Sequence, residues 1–266
     1  MKRLEELNLH KTVKRDAQDV ESTLTLEKGS VSKVRYLIKF TKEADIKFVA
    51  HLDLMRTIQR IIRRSELPVD YSKGFNPHMA LSIAQPLSVG VYSEGEYMDV
   101  VLKEEVDTDE IIDRLNKSSV NAIKFLNAIK IEVIPNVKKV PQAMALIDAA
   151  RYTIKMHYKD LTNFEEEMKS LLDKEAWIMT KRSKKGVKEV DIKPMVHEFK
   201  YWIKDDELVL NVLISSGSRE HLAPDLLVKL IQENTTNFDE EAFVEIKREE
   251  MYFMKEDVLV PLYKCV

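Results

Sequence analysis

The order in which apolar periodicities change along the chain limits its fold more than any other feature. Alternation with period two is typical of a half-buried strand, and apolar residues at i, i+4, i+7 and i+8 are typical of an amphipathic helix. These patterns follow one another as strand, helix, strand, strand, helix and strand at residues 34–40, 52–65, 79–84, 96–102, 107–116 and 123–134. This β-α-β-β-α-β order predicts a ferredoxin-like α+β fold, in which both helices cover one face of an antiparallel sheet.

A similar order begins again at residue 152. Its strand and helix patterns lie at residues 152–158, 163–172, 199–203, 208–214, 224–232 and 243–253, with an added hairpin at 177–181 and 188–192. The sequence therefore predicts two tandem ferredoxin-like halves with antiparallel sheets, although no repeat is visible residue by residue. We expect a mobile leader over residues 1–30, a first domain over 31–141 and a second over 142–266.

Composition narrows the classes of function. The chain has 266 residues and a net charge of -3, so affinity for nucleic acid must come from local basic patches. Its one cysteine, Cys265, excludes a disulfide framework and a multi-thiolate metal site within this chain. No apolar run is long enough to span a bilayer, and the first residues do not resemble a secretory signal. We therefore expect a cytoplasmic protein with no cofactor, no bound metal and no membrane contact.

The run Tyr71-Ser72-Lys73-Gly74-Phe75-Asn76-Pro77-His78 lies between two apolar segments and predicts a tight, shaped loop. Loops on a rigid scaffold often bind ligands. We expect Gly74 to adopt a positive φ, and Phe75 either to pack in the core or to stack on a base or a partner. The predicted binding residues here are Tyr71, Lys73, Gly74, Phe75, Asn76 and His78, with Glu94 from a later bend that a solvated turn explains nearly as well.

Two basic surfaces are predicted. On the 52–65 helix, arginines repeat opposite the apolar stripe: Arg56, Arg60, Arg63 and Arg64. The second surface is the tip of the added hairpin, with Lys181, Arg182, Lys184, Lys185 and Lys188. Both surfaces could hold the phosphates of a nucleic acid, and both are also compatible with a charged surface that binds nothing. We expect Arg60, His78 and Glu94 to line a single concave surface.

Two histidines are candidates for catalysis. His51 and His78 could act as a general acid and base, or they could bind a metal together with Asp53. Alternatively, His51 and Asp53 cap the helix, and His78 forms hydrogen bonds to loop carbonyl groups. The residues alone leave these interpretations open.

Several ordered motifs extend over most of the chain. They include Arg35-Tyr36, His51-Leu52-Asp53-Leu54-Met55-Arg56, Gly74-Phe75-Asn76-Pro77-His78, Ser93-Glu94-Gly95-Glu96-Tyr97, Asp191-Ile192-Lys193-Pro194 and Gly217-Ser218-Arg219-Glu220. Over residues 34–252 the chain resembles a bacterial family of uncharacterised radical-SAM-linked proteins, which are encoded beside a radical SAM protein or fused to it. The resemblance implies a radical SAM enzyme as partner. This chain lacks the cysteine triplet that holds the iron–sulfur cluster, so it is not expected to be that enzyme itself. Gene neighbourhoods in such families point weakly to RNA.

Taken together, the residues and the resemblance favour a non-catalytic module that presents a substrate, RNA, to a radical SAM enzyme. The first alternative is a metal-independent endoribonuclease that uses His51 and His78, a hypothesis supported by a likeness in plan to the RNA-processing endonucleases of CRISPR systems. The second alternative is a structural adaptor that contacts protein alone.

Overall fold

A computed structural model describes residues 33–131, 141–183 and 186–265, so the predicted leader over residues 1–30 lies outside the described residues. The elements are β1 (Val34–Lys42), α1 (His51–Arg64), β2 (Leu81–Ile83), β3 (Val91–Leu102), α2 (Thr108–Lys117), β4 (Phe125–Ile131), α3 (Ala143–Leu146), β5 (Ala149–His157), α4 (Phe164–Asp173), β6 (Ile178–Ser183), β7 (Gly186–Asp191), β8 (Val196–Lys204), β9 (Glu207–Ser215), α5 (Pro224–Asn234), β10 (Glu245–Lys255) and β11 (Val258–Pro261). The predicted strands and helices occur in the predicted order, with α3 and β11 in addition.

One large sheet organises the described residues. Nine strands form it in the order β4-β1-β3-β10-β5-β9-β8, with β2 added on β3 and β11 on β10, while β6 and β7 pair only with each other. All neighbours are antiparallel except β3 and β10, which run parallel where residues 91–93 lie beside 246–248. The fold is therefore a mixed α+β fold with a large, mainly antiparallel sheet, as predicted at the level of fold class.

Strand β3 joins the two halves of the chain. Its residues 98–100 pair with β2, whereas its residues 91–93 pair with β10. Between these two stretches lies Gly95, where a Cβ atom would stand 2.4 Å from the Glu249 carbonyl oxygen. Only glycine permits this approach of backbone to backbone, so the crossing of β3 and β10 depends on it.

The helices bury the faces that their periodicity predicts. In α1 the buried residues are Leu54, Ile58, Ile61 and Ile62, and these pack on the first half of the sheet. At the start of α2 the Asp107 carboxylate accepts from the Asp109 and Glu110 amides and caps the helix, at the residue where the sequence predicts that the helix begins. The predicted cap of α1 is wrong, because Ala50 occupies that position and no side chain caps it.

Two further differences concern the face of the sheet opposite α1. Strand β3 begins at Val91 rather than at residue 96, so Glu94 lies in a strand and not in a solvated turn. A third apolar cluster there includes Leu37, Tyr97, Met251 and Leu262, and α3 contributes Ala143 to it. Neither α3 nor β11 was predicted. Within the described ranges no helix is both long and apolar enough to cross a membrane.

Candidate nucleic-acid interface

The loop after α1 closes as a short hairpin. Tyr71 forms an isolated bridge with Met79. The Ser72 amide donates to the His78 carbonyl oxygen at 2.8 Å, and the His78 amide donates to Ser72 Oγ at 2.9 Å. These bonds fix both ends of residues 72–78, so the residues between them form a defined tip.

The tip holds an aromatic ring in open solvent. Gly74 has a φ of +135°, which confirms the predicted positive φ. Phe75 follows with an exposed fraction of 110%, so the predicted core role for this ring is wrong. Lys73 and Asn76 are exposed beside it. The side chain of Phe75 contributes nothing to a core, and its whole surface is open to a ligand.

The arginines of α1 divide into paired and unpaired side chains. Arg56 forms an ion pair with Asp53 at 2.8 Å, and Arg64 donates to the Ser118 carbonyl oxygen at 2.6 Å. Arg60 and Arg63 are exposed, and neither side chain has a hydrogen bond or ion pair within the described ranges. The predicted solvent-facing stripe is confirmed, and its two middle members keep their charge free for another molecule.

The unpaired arginines and the Phe75 hairpin both lie towards the C-terminal end of α1. Helix α1 starts near Lys47, whose carbonyl oxygen accepts from the Gly90 amide at the beginning of β3. After α1 the chain reaches the other end of β3, where the Asp70 amide donates to the Val101 carbonyl oxygen. Arg63 and the Phe75 hairpin therefore lie at the same end of α1.

The two candidate catalytic histidines do not come together. His51 opens α1 and His78 belongs to the hairpin beyond its other end, and 14 helical residues extend about 21 Å. A pair of imidazoles must reach one phosphate to act as acid and base. His51 Nδ1 is buried without a hydrogen-bond partner among the described residues, which shows that it does not cap the helix. Among those residues no group of three or more His, Cys, Asp or Glu side chains is placed to hold a metal.

The predicted single concave surface is wrong. Glu94 pairs with Lys247 at 3.1 Å on the face of the sheet that is opposite the helices. Arg60 lies on the outer side of α1, and His78 lies in the hairpin that follows α1. The sheet therefore separates Glu94 from the arginines, and Glu94 does not belong to the same surface.

The added basic hairpin is confirmed as β6 and β7, in which Lys181 lies directly opposite Lys188. Both lysines are exposed, and Lys181 Nζ donates to the His221 carbonyl oxygen at 3.2 Å. Lys184 and Lys185 lie outside the described residues, and the Arg182 side chain is not described either. Of the predicted basic residues in this hairpin, the structure therefore shows only that Lys181 and Lys188 lie side by side.

The sequence reading missed a buried network of charges between the halves. Arg248 of β10 donates through Nε and Nη2 to both carboxylate oxygens of Glu96, at 2.8 and 2.6 Å, and each residue is 1% exposed. Lys42 of β1 is equally buried and donates to the carbonyl oxygens of Lys47 and Val91. Burial lowers the pKa of Lys42, and the charge of Glu96 opposes that shift.

Gln85 extends this network to the surface. Its carbonyl oxygen accepts from Arg248 Nη2 at 2.7 Å, and its side-chain oxygen accepts from Ser216 Oγ at 2.9 Å. Gln85 Nε2 lies 3.4 Å from His221 Nδ1. Burial, Lys181 and Arg248 together lower the pKa of His221. We call Lys42, Glu96, Arg248, Gln85, Ser216 and His221 the junction cluster, since these residues join the two halves.

Comparison with known proteins gives a matching family model. A family model described as "Uncharacterized protein conserved in bacteria (DUF2344)" matches residues 35–224. No curated protein matches the chain. A chain in a crystal structure of a Cbf5-Nop10-Gar1 complex is 12% identical with a TM-score of 0.46, over 84% of this chain and 50% of that one. This chain thus spans half the length of that match.

A second solved structure, of an unknown protein from Galdieria sulphuraria, is 9% identical with a TM-score of 0.24, over 82% of this chain and 99% of that one. Both TM-scores are below 0.5, so neither likeness bears on function.

Proposed function

We propose, from the premise that this chain belongs to the DUF2344 family of uncharacterised bacterial proteins, that it is a non-catalytic module that binds single-stranded RNA. The family model covers well over half of the chain, but its description gives no activity. The proposal therefore depends on the surface chemistry at one end of α1, where the Phe75 hairpin and the unpaired arginines lie.

The exposure of Phe75 is the observation that supports this function most directly. A base can stack on either face of a ring that no other part of the protein covers, and such stacking contributes about 1–3 kcal/mol per base. The closing hydrogen bonds between Ser72 and His78 hold the hairpin before a ligand arrives. Little conformational entropy is then lost when a base binds.

The charges around the hairpin suit a phosphate backbone. Arg60 and Arg63 have no protein partner within the described ranges, and Lys73 is exposed at the tip beside Phe75. A net charge of -3 gives the whole protein no general attraction for a polyanion, so contact would be confined to this surface. We expect the affinity to fall steeply as salt rises, because bound phosphates release their counterions.

We assign no catalytic step to this chain. The endoribonuclease hypothesis needs His51 and His78 at one phosphate, and they lie at opposite ends of α1. The adaptor hypothesis requires no RNA affinity, so an experiment on binding distinguishes it from the present proposal.

A radical SAM enzyme remains the partner that we propose, in a cytoplasmic setting. This part of the proposal depends on the resemblance of the sequence motifs. The single cysteine of the chain means that the partner would supply the iron–sulfur cluster.

For the architecture we propose two tandem ferredoxin-like halves. In the first half the strand order is β4-β1-β3-β2, and in the second it is β10-β5-β9-β8. Counted along the chain, the sheet strands of each half thus follow one another in the order fourth, first, third and second. The division at residues 141 and 142 stays a prediction, since one sheet runs through both halves.

The test measures fluorescence anisotropy of a labelled 12-nucleotide single-stranded RNA of mixed sequence. We expect Phe75→Leu to weaken binding by about 1–3 kcal/mol and Phe75→Tyr to retain most of it, because tyrosine keeps the stacking surface. Trp202→Leu is the matched control, since Trp202 is an exposed aromatic residue on the edge strand β8.

Two results would contradict the proposal. Wild-type protein that shows no RNA binding at 50 mM salt would favour the adaptor. Equal binding by Phe75→Leu and wild type would remove the hairpin from the site.

A further inference from the structure

A second aromatic feature lies at the other end of α1, between the two halves. A cavity of about 360 Å³ is lined by Phe48, Val89, Phe243 and Val228, among others. Phe48, Val89 and Phe243 are 62%, 59% and 47% exposed, so apolar surface stays open to solvent at the mouth. A volume near the lower end of the range for ligand sites suits a molecule the size of a nucleotide base with its sugar.

The rings in this cavity are held in place. Phe48 and Phe243 meet edge to face with their centroids 5.5 Å apart, and the Lys47 ammonium group lies 4.5 Å from the Phe243 centroid. Gly90, with a φ of +92°, passes against the Phe243 ring and leaves no side chain in the way. The apolar side of the cavity is therefore formed by side chains that contact one another.

Polar groups line the side of the cavity formed by α5. Asp225, Val228 and Gln232 are spaced i, i+3 and i+7, so one stripe of the helix lines the pocket. The side chains of Asp225 and Gln232 have no hydrogen bond or ion pair within the part of the chain that the structure describes. About 10.5 Å of helix separates them, which a purine with its ribose can span.

We propose that this cavity is a binding site for a purine base, with guanine preferred. The Asp225 carboxylate has two acceptor oxygens, and guanine presents two adjacent N–H donors, one on the ring and one on its exocyclic amino group. Adenine and uracil do not present that pair. The inference is independent of the RNA proposal, because a free nucleotide would bind here without the Phe75 hairpin or the arginine stripe.

The test is isothermal titration of the full chain with guanosine monophosphate and inosine monophosphate, which differ only in the exocyclic amino group. We expect the guanosine nucleotide to bind about tenfold more tightly, the value of one hydrogen bond to a charged acceptor. Asp225→Asn should abolish this difference in affinity, and Phe243→Leu should weaken the binding of both nucleotides.

Two variants serve as controls. Glu233→Gln makes the same change of charge on the same helix, outside the cavity, and should leave the tenfold difference in place. Phe75→Leu should also leave it in place, even where RNA binding is lost, so the two proposals can fail separately. No binding of either nucleotide at millimolar concentration would overturn the inference, as would equal binding of both. A shift from oligomer to monomer in Phe243→Leu, without nucleotide binding, would assign the surface to a second copy of the chain.

Discussion

The junction cluster and the arginine stripe of α1 use similar side chains in opposite ways. At the junction, Arg248 is 1% exposed and its guanidinium donates to Glu96 and to Gln85. On α1, Arg60 and Arg63 are exposed and have no partner within the described ranges. The guanidinium group of Arg248 forms hydrogen bonds within the protein, whereas those of Arg60 and Arg63 are available to a ligand.

Arginine side chains thus differ in role according to whether they are buried or exposed. A buried ion pair must be satisfied on both sides, because an unpaired charge in the interior is strongly unfavourable. An exposed arginine contributes little to stability whether or not it is paired. Substitutions at the junction should therefore change the free energy of unfolding, and substitutions on α1 should change binding.

The largest effect is expected for Arg248→Met. Removing the guanidinium leaves Glu96 buried without its partner, and we expect the free energy of unfolding to fall by about 3–5 kcal/mol. Urea denaturation followed by circular dichroism measures it. Arg60→Met is the matched control and should stay within about 0.5 kcal/mol of wild type. Equal losses in both variants would mean that burial does not distinguish the two arginines.

A double-mutant cycle with Glu96→Leu sharpens the same comparison. Each single variant leaves one buried charge unpaired, whereas the double variant removes both charges. We therefore expect the double variant to be more stable than the sum of the single losses implies, with a coupling of roughly 1–3 kcal/mol. Lys42, whose pKa the Glu96 charge raises, is present in all variants, so its separate interactions with Glu96 and Arg248 cancel in the cycle. Simple additivity would show that the two residues stabilise the fold independently.

On the exposed side, Arg60→Gln with Arg63→Gln should change RNA binding and leave stability unaltered. Each phosphate contact on single-stranded RNA contributes about 0.7 to the slope of log affinity against log salt, so the slope should become shallower by roughly 1.4. Arg56→Gln is the control, because Asp53 already neutralises Arg56. A slope equal to that of wild type would exclude the two arginines from the interface.

The elements could be predicted from the sequence because their signals are local. Apolar spacing in α1 gave its buried face, and the position of Asp107 gave the start of α2. The parallel contact of β3 with β10 joins residues about 150 positions apart, and no local pattern encodes it. The single sheet that results was therefore not predicted.

Only those parts of the candidate site that depend on local sequence signals could be predicted. Gly74 and the exposed side of α1 follow from turn chemistry and helical spacing. Whether Arg60, His78 and Glu94 share a surface depends instead on how the whole chain folds, and the predicted shared surface does not form. A signal for the junction was present and overlooked. Glu96 has the same parity as Met98 and Val100, so a charge occupies a core-facing position of β3. A charge at such a position predicts a buried partner.

The smallest effect is expected for His221, the member of the junction cluster at the surface. It tests whether the charge of Arg248 influences the protonation of this histidine. Burial, Lys181 and Arg248 lower the pKa of His221, so the unfolded chain binds a proton before the folded one as pH falls below about 6.5. The free energy of unfolding should therefore decrease with falling pH through that range, and His221→Gln should make the decrease shallower. Because the imidazole is also partly exposed, solvent screens this effect and we expect it to be the weakest of the four. Urea midpoints at pH 7.5 and 5.5 measure the difference. Identical pH dependence in wild type and variant would mean that Arg248 affects its buried partners and not the protonation of His221.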